Sequence, residues 1–382
     1  MIPLQRPNLG PKELHAVAGV FESRWLGMGA AVEAFERRLA DFLGASHVIA
    51  TSTGTAALHL ALAACDFPTG SEAIVPSLTY VASVQAIVAA GLQPVFADVD
   101  PQTLNISPES IRRCLSDRTG AILPVHYRGM ACAMDEILAI AEESNLVVVE
   151  DAAHAFGSRY RGKRVGSFGH IACFSFDPIK TITCGEGGAI AFASPQFETV
   201  AAKARAMRVL GIDSDTWTRR QKGDVYHYDV VQPGFRYHMP NFCAAIGLAQ
   251  LDRFNEIAHR KIDICRAYDT AFRNLKSLRV IETDYSETVP FIYIVRVADR
   301  PDFIRDLTNR QISTGLHYIP NHRHSYFRTF PKDDLVHTED AAAEIVTLPL
   351  FSEQTDAEVQ SVIDAVTAWD RTTAGKMRIK VK

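Results

Sequence analysis

The sequence predicts an α/β protein with a large domain built on a mostly parallel central sheet covered by helices, and a smaller α+β domain at the C-terminus. Three observations support this prediction. Short runs rich in Val, Ile and Ala alternate with helical patterns over the first two thirds of the chain. These runs are almost continuously apolar, which is typical of parallel strands buried on both faces. The chain of 382 residues is also long enough for a large domain plus a smaller one.

The alternation can be followed along the chain, strand by strand. The strand–helix pairs, in order, are HVIATS with GTAALHLALAAC, EAIVPS with YVASVQAIVAAG, QPVFADVD with PESIRRCLSD, GAILPVH with MDEILAIAEESN, and finally LVVVEDAA, which closes the series. Because the carboxyl ends of parallel strands meet at one edge of a sheet, functional side chains are expected to gather at that edge.

After Ser194 the alternation stops and a mixed pattern follows. The segments predicted there are a helix at 196–209, a polar, aromatic-rich stretch at 213–237, and helices at 242–251 and 255–275. The runs PFIYIVRV, PDFIRDLTNR, STGLHY and DAEVQSVIDAVTAW then indicate a small α+β unit. The predicted domains are a large one at 1–254 and a small one at 255–382.

Composition and charge exclude several classes of function. A net charge of −4 without a long basic block argues against a general nucleic-acid binder, and the basic end GKMRIKVK is interpreted as a frayed, solvated tail. Seven cysteines are scattered without any C-x-x-C pair, which indicates a reduced, cytoplasmic protein without a disulfide framework or zinc knot. We find neither a secretory signal nor a run of about twenty apolar residues, so a soluble protein without membrane contact is expected.

Two of the predicted strand ends are candidate binding elements. In TSTGTAAL, Thr51 to Leu58, a strand ends in hydroxyl and glycine residues and a helix starts at once, so free backbone N–H groups and the positive helix end are offered to a phosphate or carboxylate. The same residue types also serve as ordinary helix N-caps. In PSLTYVAS, Tyr80 opens a helix after a strand, where an aromatic ring can stack on a flat ligand or pack in the core.

The strand LVVVED ends in a carboxylate. Asp151 follows strongly apolar residues, where an unpaired charge is costly to bury, so it needs a cationic partner such as the protonated ring nitrogen of a cofactor. The alternative role for Asp151 is an N-cap for the residues that follow it. His154, in the next turn of chain, can face the same pocket or simply cap and pack.

The segment FDPIKTITCGEGG holds a single lysine, Lys180, between a predicted strand and a glycine-rich turn. A solvated surface charge is the ordinary role of such a lysine. In a desolvated pocket, however, its pKa falls and the neutral amine can attack an aldehyde to form a Schiff base. Ser175, at the end of the preceding strand, can donate its hydroxyl to a phosphate or to the backbone.

Together, these strand ends supply a phosphate cradle, an aromatic lid, an acid for a ring nitrogen and a lysine for an aldehyde. Pyridoxal 5′-phosphate needs all four, because it has a phosphate, a flat ring, a pyridinium nitrogen and a C4′ aldehyde. A nicotinamide site leaves Lys180 and Asp151 without a role, and the G-x-G-x-x-G fingerprint is absent after the first strands. Pyridoxal 5′-phosphate is therefore the predicted cofactor.

A close resemblance to the lysine segment of the DegT/DnrJ/EryC1/StrS aminotransferases is carried by EDAAHAFGSRYRGKRVGSFGHIACFSFDPIKTITCGEGGAI. Their N-terminal stretch is similar to SRWLGMGAAVEAFERRLADFLGASHVIATSTGTAALHLAL, and further matches, in order, are VPSLTYVASVQAI, AAIGLAQL and TLPLFSEQTDAEVQSVI. The resemblance covers almost the whole chain. It implies a fold-type I pyridoxal phosphate transferase, a homodimer with active sites shared at the subunit interface, and keto-sugar substrates that are usually nucleotide-linked.

The resemblance also implies a role for each candidate residue. It makes Lys180 the lysine that forms an aldimine with the cofactor and moves the proton between C4′ and the substrate carbon. The other implied cofactor contacts are Asp151 at the pyridinium nitrogen, Tyr80 on the ring face, Gly54, Thr55 and Ser175 at the phosphate, and His154 near the ring hydroxyl. A sister branch of the family dehydrates sugars and carries histidine at the lysine position, so Lys180 favours amino transfer.

Two further segments correspond to family elements that contact the phosphate and the substrate. Where relatives place a polar side chain against the neighbouring subunit's phosphate, this chain reads GFRYHMPN, so Arg236 or His238 is the expected contact. GLHYIPNHRHSYF resembles the substrate-side segment and makes His317, Tyr318 and Arg323 candidate sugar or phosphate contacts. The histidines here lack acidic partners at regular spacing, so no metal site is predicted.

The expected function is that of a pyridoxal phosphate-dependent aminotransferase. By family habit it takes the amino group from L-glutamate and gives it to a keto-sugar, expected to be nucleotide-linked, in a ping-pong reaction through a Lys180 aldimine. A dehydratase or other lyase of the same family, and an aminotransferase for keto-inositols or free keto-sugars, are alternatives. A regulatory protein that kept the cofactor but lost catalysis is a third, against which the intact set of cofactor residues argues.

Overall fold

The structure is a computed structural model that describes residues 1–224 and 226–380. Its strands are β1 (His47–Thr51), β2 (Glu72–Pro76), β3 (Gln93–Ala97), β4 (Thr119–Ile122), β5 (Val147–Asp151), β6 (Arg159–Tyr160), β7 (Lys163–Arg164), β8 (Ile171–Ser175), β9 (Gly188–Phe192), β10 (Leu278–Val280), β11 (Tyr293–Val297) and β12 (Ile345–Leu348). Its α-helices are α1 (Pro11–Ser23), α2 (Ala30–Leu43), α3 (Gly54–Ala64), α4 (Val81–Ala89), α5 (Pro108–Cys114), α6 (Met134–Glu143), α7 (Glu198–Met207), α8 (Thr216–Lys222), α9 (Asn241–Asp252), α10 (Phe254–Phe272), α11 (Arg300–Asn309), α12 (Val336–Glu344) and α13 (Asp356–Lys380).

Seven strands of the described residues form the central sheet, in the order β1–β9–β8–β5–β4–β2–β3. β9 runs antiparallel to its neighbours β1 and β8, and the other neighbouring pairs are parallel. The strands consist largely of buried residues, and every residue of β2 and β9 is buried. Burial on both faces explains why the strand sequences show almost no polar alternation. The predicted mostly parallel sheet is therefore present.

Helices cover both faces of this sheet. Since alternate residues of a strand point to opposite faces, neighbouring strand residues belong to different cores. Ile49 and Ile190 belong to a core formed with α3, α4 and α7. Their chain neighbours Val48 and Ala191 belong to a second core formed with α2, α9 and the start of α10. On the same side as this second core, α5 and α6 pack on the central sheet around Ile74. The central sheet thus lies between two layers of helices.

The C-terminal part contains a separate antiparallel sheet made of β10, β11 and β12. α10, α11 and α13 pack on it around Tyr268 and Trp369. α10 starts at Phe254 in a core of the large sheet and ends in the core of the small one. Near the N-terminus, Ile2 pairs with Ile312 of this C-terminal part. The division into domains at residue 254 stays a prediction.

The helices predicted after Ser194 correspond to α7, α9 and α10, each with ends shifted by a few residues. The polar stretch that follows α7 also contains α8, which its composition does not predict. Asp215 caps this helix, since its carboxylate accepts hydrogen bonds from the backbone N–H groups of Trp217 at 2.9 Å and Thr218 at 3.0 Å. A local capping interaction therefore organises a segment that looks like a loop in the sequence.

The C-terminal segment that the sequence suggests is a frayed tail belongs to α13 as far as Lys380. Residues 381 and 382, the last two of that predicted tail, lie outside the described residues. Among the helices of the described chain, we find none that combines the length and the apolar character needed to cross a membrane.

Candidate active site

A cavity of about 330 Å³ opens at the carboxyl edge of the central sheet. It is lined by residues that follow β1, β2, β5 and β8 and by a short segment of the C-terminal part. The sequence-predicted residues that line it are Gly54, Thr55, Tyr80, Asp151, His154, Ser175, Lys180, His317 and Tyr318. Arg236, His238 and Arg323 are not among its lining residues.

The turn between β1 and α3 brings a helix N-terminus against the end of β8. Thr53 is the N-cap of α3, and its hydroxyl accepts a hydrogen bond from the Ala56 N–H at 3.0 Å. Gly54 packs so closely on Ser175 that a Cβ at this position would lie 2.6 Å from the Ser175 Cβ. Glycine is therefore required, and the Ser175 hydroxyl lies beside the positive end of the helix. A hydroxyl next to helix N–H groups that lack intrahelical partners fits a phosphate.

Asp151 ends β5 and is 5% exposed. Its carboxylate accepts hydrogen bonds from the Ser83 hydroxyl at 2.6 Å and from the Ala153 backbone N–H at 3.0 Å. Both donors are neutral, and a carboxylate has about four acceptor positions. Asp151 thus caps the following turn and still has room to bind a protonated ring nitrogen in the cavity. The two roles that the sequence leaves open for it are compatible.

Lys180 lies in the loop between β8 and β9, where its backbone N–H donates to the Asp177 carbonyl at 3.0 Å. Its side-chain nitrogen Nζ lies 4.2 Å from the centroid of the Phe291 ring. Burial lowers the pKa of Lys180 to about 8, although the charges of Asp151 and Asp177 act in the opposite direction. Lys180 is therefore not a solvated surface charge, and near neutral pH it has an accessible amine form.

Three aromatic side chains form one wall of the cavity. Nε2 of His154 lies 3.0 Å from the Tyr318 hydroxyl, and the Tyr318 ring centroid lies 5.5 Å from that of Tyr80. The His154 ring also stacks on the Phe291 ring, with a distance of 4.2 Å between the ring centroids. Tyr80 is 55% exposed, so it does not pack in the core. The wall is suited to a planar ring.

The two histidines of the cavity are neutral near pH 7. Burial, and then the charge of Lys180, hold the pKa of His154 well below its ordinary value. The same two causes lower the pKa of His317 to about 4, and its Nδ1 lies 2.9 Å from the Thr347 hydroxyl. Nδ1 of His154 is buried and has no hydrogen-bond partner within the described residues. A buried polar atom without a partner marks a position for a ligand group.

The other three predicted contacts lie elsewhere on the chain. Arg236 and His238 line a second cavity, of about 400 Å³. Arg323 is exposed, and its guanidinium is paired with Glu339, with Nε 3.1 Å from Oε1. Because Arg323 pairs with a carboxylate outside the Lys180 cavity, the geometry does not support its predicted contact with the substrate.

Of the histidines that follow His317, His322 has hydrogen-bond partners within the protein. His322 lies between the Ser77 hydroxyl at 2.7 Å and the Glu339 carboxylate at 2.6 Å. In the part of the chain that the structure describes, no group of three or more His, Cys, Asp or Glu side chains is placed to hold a metal ion. All seven cysteines are free thiols.

Sequence reasoning misses several residues that shape the cavity. Ser83 lies three residues after Tyr80, at the start of α4. Helix geometry alone predicts that two side chains with this spacing lie on the same face of the helix. Asp177 and Glu186 also line the cavity, and both belong to the segment around Lys180. Phe291 comes from a distant segment and carries no local signal of its role.

Comparisons with known proteins show which family this chain resembles. The model of the DegT/DnrJ/EryC1/StrS aminotransferase family matches residues 7–367. A relative in Methanocaldococcus jannaschii, the uncharacterized protein MJ1066, is 34% identical over 375 residues, which cover 96% of each chain. The solved aminotransferase TlmJ of Streptoalloteichus hindustanus is 31% identical, with a TM-score of 0.90 over 98% of this chain and 100% of that one.

A second similar protein has been solved in two cofactor forms. Spr1654 of Streptococcus pneumoniae, provisionally assigned as a sugar aminotransferase, is 26% identical in its PMP form, with a TM-score of 0.92 over 97% of this chain and 100% of that one. It has also been solved in a PLP form, which is 26% identical with a TM-score of 0.90 over 97% and 99% of the two chains.

Fold, cavity and comparisons define the class of this protein, which is an aminotransferase of fold type I. The chain belongs to the DegT/DnrJ/EryC1/StrS aminotransferase family. Enzymes of this family use pyridoxal 5′-phosphate. The predictions of family, fold class, enzyme class and cofactor are thereby confirmed.

The residues of the cavity fit this cofactor. The close approach of Gly54 to Ser175 at the start of α3 leaves a space that would hold its phosphate. Asp151 has acceptor capacity for a ring N–H, and the unpartnered Nδ1 of His154 leaves a polar position in an otherwise aromatic wall. Lys180 lines the same cavity and would supply the amine for the aldehyde carbon. Each functional group of the cofactor has a matching residue type in one cavity.

The lowered pKa of Lys180 predicts how the cofactor-free protein takes up pyridoxal 5′-phosphate. Because only the neutral amine attacks an aldehyde, the uptake rate should rise with pH to a plateau with a midpoint near 8. An ordinary lysine gives a midpoint of about 10.4. Stopped-flow absorbance between roughly pH 6 and 12 measures the midpoint, with free Nα-acetyl-lysine as the control. A midpoint equal to that of the free lysine would contradict the buried environment of Lys180.

Proposed function

We propose that this aminotransferase moves the amino group of L-glutamate to a nucleotide-linked keto-sugar in two half-reactions. The observation that supports it most is the placement of Lys180, with its pKa lowered to about 8, in one cavity with the buried carboxylate of Asp151. An amine that is partly neutral can both bind a carbonyl carbon and carry a proton.

Each residue then has a defined task. When bound, pyridoxal 5′-phosphate supplies an electron sink for the carbon that loses or gains its proton. Lys180 takes the α-proton of the donor in the first half-reaction and returns a proton to the acceptor carbon in the second. Asp151 holds the positive charge of the ring nitrogen in place, and Tyr80 covers the ring face. Gly54, Thr55 and Ser175 bind the phosphate, and neutral His154 orients the hydroxyl edge.

The walls of the Lys180 cavity suit a polyhydroxylated acceptor. Asp177 and Glu186 line it, and burial, followed by the charge of Asp177, raises the pKa of Glu186. Carboxylates accept hydrogen bonds from sugar hydroxyls. Within the described residues, no arginine lines this cavity. An anionic part of the acceptor therefore needs a second region of the enzyme, while His317 and Tyr318 remain proposed contacts of the sugar.

The second cavity supports a nucleotide as that anionic part. It is lined by Trp25, Trp217, Arg219, Arg236 and His238, and the two tryptophan rings lie 5.3 Å apart. Nε1 of Trp217, Nε of Arg219 and Nδ1 of His238 are buried without a hydrogen-bond partner in the described chain. Aromatic faces suit a base, and guanidinium groups suit phosphates.

A homodimer joins the two cavities in this proposal. Arg236 and His238 lie outside the Lys180 cavity of their own chain, and in the proposed dimer one of them reaches the cofactor phosphate of the partner subunit. The surface around the second cavity includes Leu26 and Leu210, which are 46% and 45% exposed. Exposed apolar side chains grouped at one site favour a protein–protein contact. The cytoplasmic location expected from the sequence stays a prediction.

Lys180→Ala tests the chemical role of the lysine. We expect turnover to fall by about 10²-fold to 10⁴-fold or more, because the proton carrier and the cofactor attachment are both lost. Production of amino-sugar and 2-oxoglutarate measures it, and circular dichroism checks the fold. Lys203→Ala is the control, since Lys203 is a half-buried lysine on α7 that pairs with Asp66 and should keep full activity. Wild-type turnover in Lys180→Ala would refute the proposal.

The same product analysis separates amino transfer from the lyase alternative. An aminotransferase consumes one amino donor for each sugar converted, whereas a lyase releases a deoxysugar without consuming the donor. Lys180 stands where the dehydrating branch has histidine, and this residue favours the first outcome.

Tryptophan fluorescence tests the nucleotide-linked acceptor. Of the three tryptophans in the chain, two line the second cavity, and Trp369 packs on Phe303 in the small core. We expect UDP, dTDP or GDP to quench the emission, and Trp217→Ala to weaken that binding about fivefold or more, as lost base stacking does. Trp369→Phe is the control and should retain the quenching. If none of the three nucleotides binds, a free keto-sugar or keto-inositol becomes the better acceptor.

A further inference from the structure

A second buried lysine lies behind the active site. Lys261, on α10, is 4% exposed, and its Nζ donates a hydrogen bond to the carbonyl oxygen of Phe291 at 3.2 Å. A carbonyl is a weak substitute for the water or carboxylate that an ammonium normally has. Burying a lysine in this way is costly, whereas an apolar residue would pack at this position without that cost. The presence of a lysine here therefore needs an explanation other than core packing.

Phe291 connects Lys261 to the active site. Its backbone N–H donates to the Arg128 carbonyl at 2.9 Å, and its own carbonyl accepts from Lys261, so the residue is held on both sides. Its ring stacks on His154 at a centroid distance of 4.2 Å, and Nζ of Lys180 lies 4.2 Å from the same ring centroid. The Phe291 ring thus forms an aromatic floor that contacts both Lys180 and His154.

We propose that Lys261 is a positioning residue for amino transfer, which acts on Lys180 through Phe291 by holding the aromatic floor in place and by adding a positive charge behind it. The proposal rests on the proposed role of Lys180. In this proposal the active site includes Lys261, which does not line the cavity but holds Phe291, the residue that supports Lys180 and His154.

Electrostatics supports this geometry. Two lysines near each other each make the other harder to protonate. Burial, with a further contribution from Lys180, lowers the pKa of Lys261 to about 8, while Cys265 acts in the opposite direction. The charged or titratable groups coupled to this pair from the surrounding elements are Asp151, His154, Asp177, Cys265 and His317. Removing the charge of Lys261 should therefore raise the pKa of Lys180.

Lys261→Met and Lys261→Arg test the proposal. The readout is the pH midpoint for uptake of pyridoxal 5′-phosphate by the cofactor-free full-length protein, together with the pH profile of the half-reaction with L-glutamate in the holoenzyme. In Lys261→Met we expect both midpoints to move up by about half a pH unit or more, with at least a threefold slower uptake at pH 7. Lys261→Arg carries its charge at every pH of the measurement, so its midpoint should lie at or below that of the wild type. Lys203→Met is the control for loss of a lysine elsewhere.

A purely structural lysine would lower thermal stability in Lys261→Met without moving the pH midpoint, and that result overturns the proposal. If the methionine variant does not fold, Lys261→Gln replaces it, because the amide keeps an N–H donor for Phe291 while removing the charge. The glutamine variant should show the raised midpoint, and an unchanged midpoint again overturns the proposal.

The experiment also separates failure of this inference from failure of the proposed function. If Lys180→Ala takes up pyridoxal 5′-phosphate with the wild-type pH profile, Lys180 is not the reacting amine and both ideas fail. If Lys180→Ala loses uptake while Lys261→Met behaves as wild type, only the role of Lys261 fails.

Discussion

The burial of one amine is the constraint on which the rest of the active site depends. Phe291 and the aromatic wall exclude water from Lys180, and its pKa falls to about 8 as a result. The negative charge that balances the site comes from Asp151, which two neutral donors hold at the end of β5. The histidines add no charge, because burial keeps them neutral. A reactive amine and a fixed carboxylate can therefore coexist in one small cavity.

The fold provides this arrangement through the direction of its strands. β1, β2, β5 and β8 are oriented alike, so the residues that follow them meet at one edge although they are far apart in sequence. Helix layers on both faces fix the strands, and tight packing of Gly54 on Ser175 sets the distance between two of their ends. The C-terminal part then closes the cavity with His317 and Tyr318. Both parts of the chain are needed for one site.

The sequence was sufficient wherever position along a strand decides position in space. Asp151, Ser175 and Lys180 could be predicted because each follows an apolar run whose end must lie at the shared edge. Phe291 and Lys261 could not, because their roles depend on how α10 packs against a distant loop. Lys261 looks like an ordinary helical lysine in HRKIDIC. For Arg323, neighbouring residues line the cavity, but the short turn after them directs its guanidinium to Glu339.

The most direct test of the account is the absorption spectrum of the purified holoenzyme before and after excess L-glutamate. If Lys180 holds the cofactor and carries the proton, the visible band should move to the near-ultraviolet while 2-oxoglutarate appears in step, and a keto-sugar should restore the band. A protein that stays colourless with added pyridoxal 5′-phosphate, or a band that L-glutamate and other amino donors leave unchanged, would contradict it.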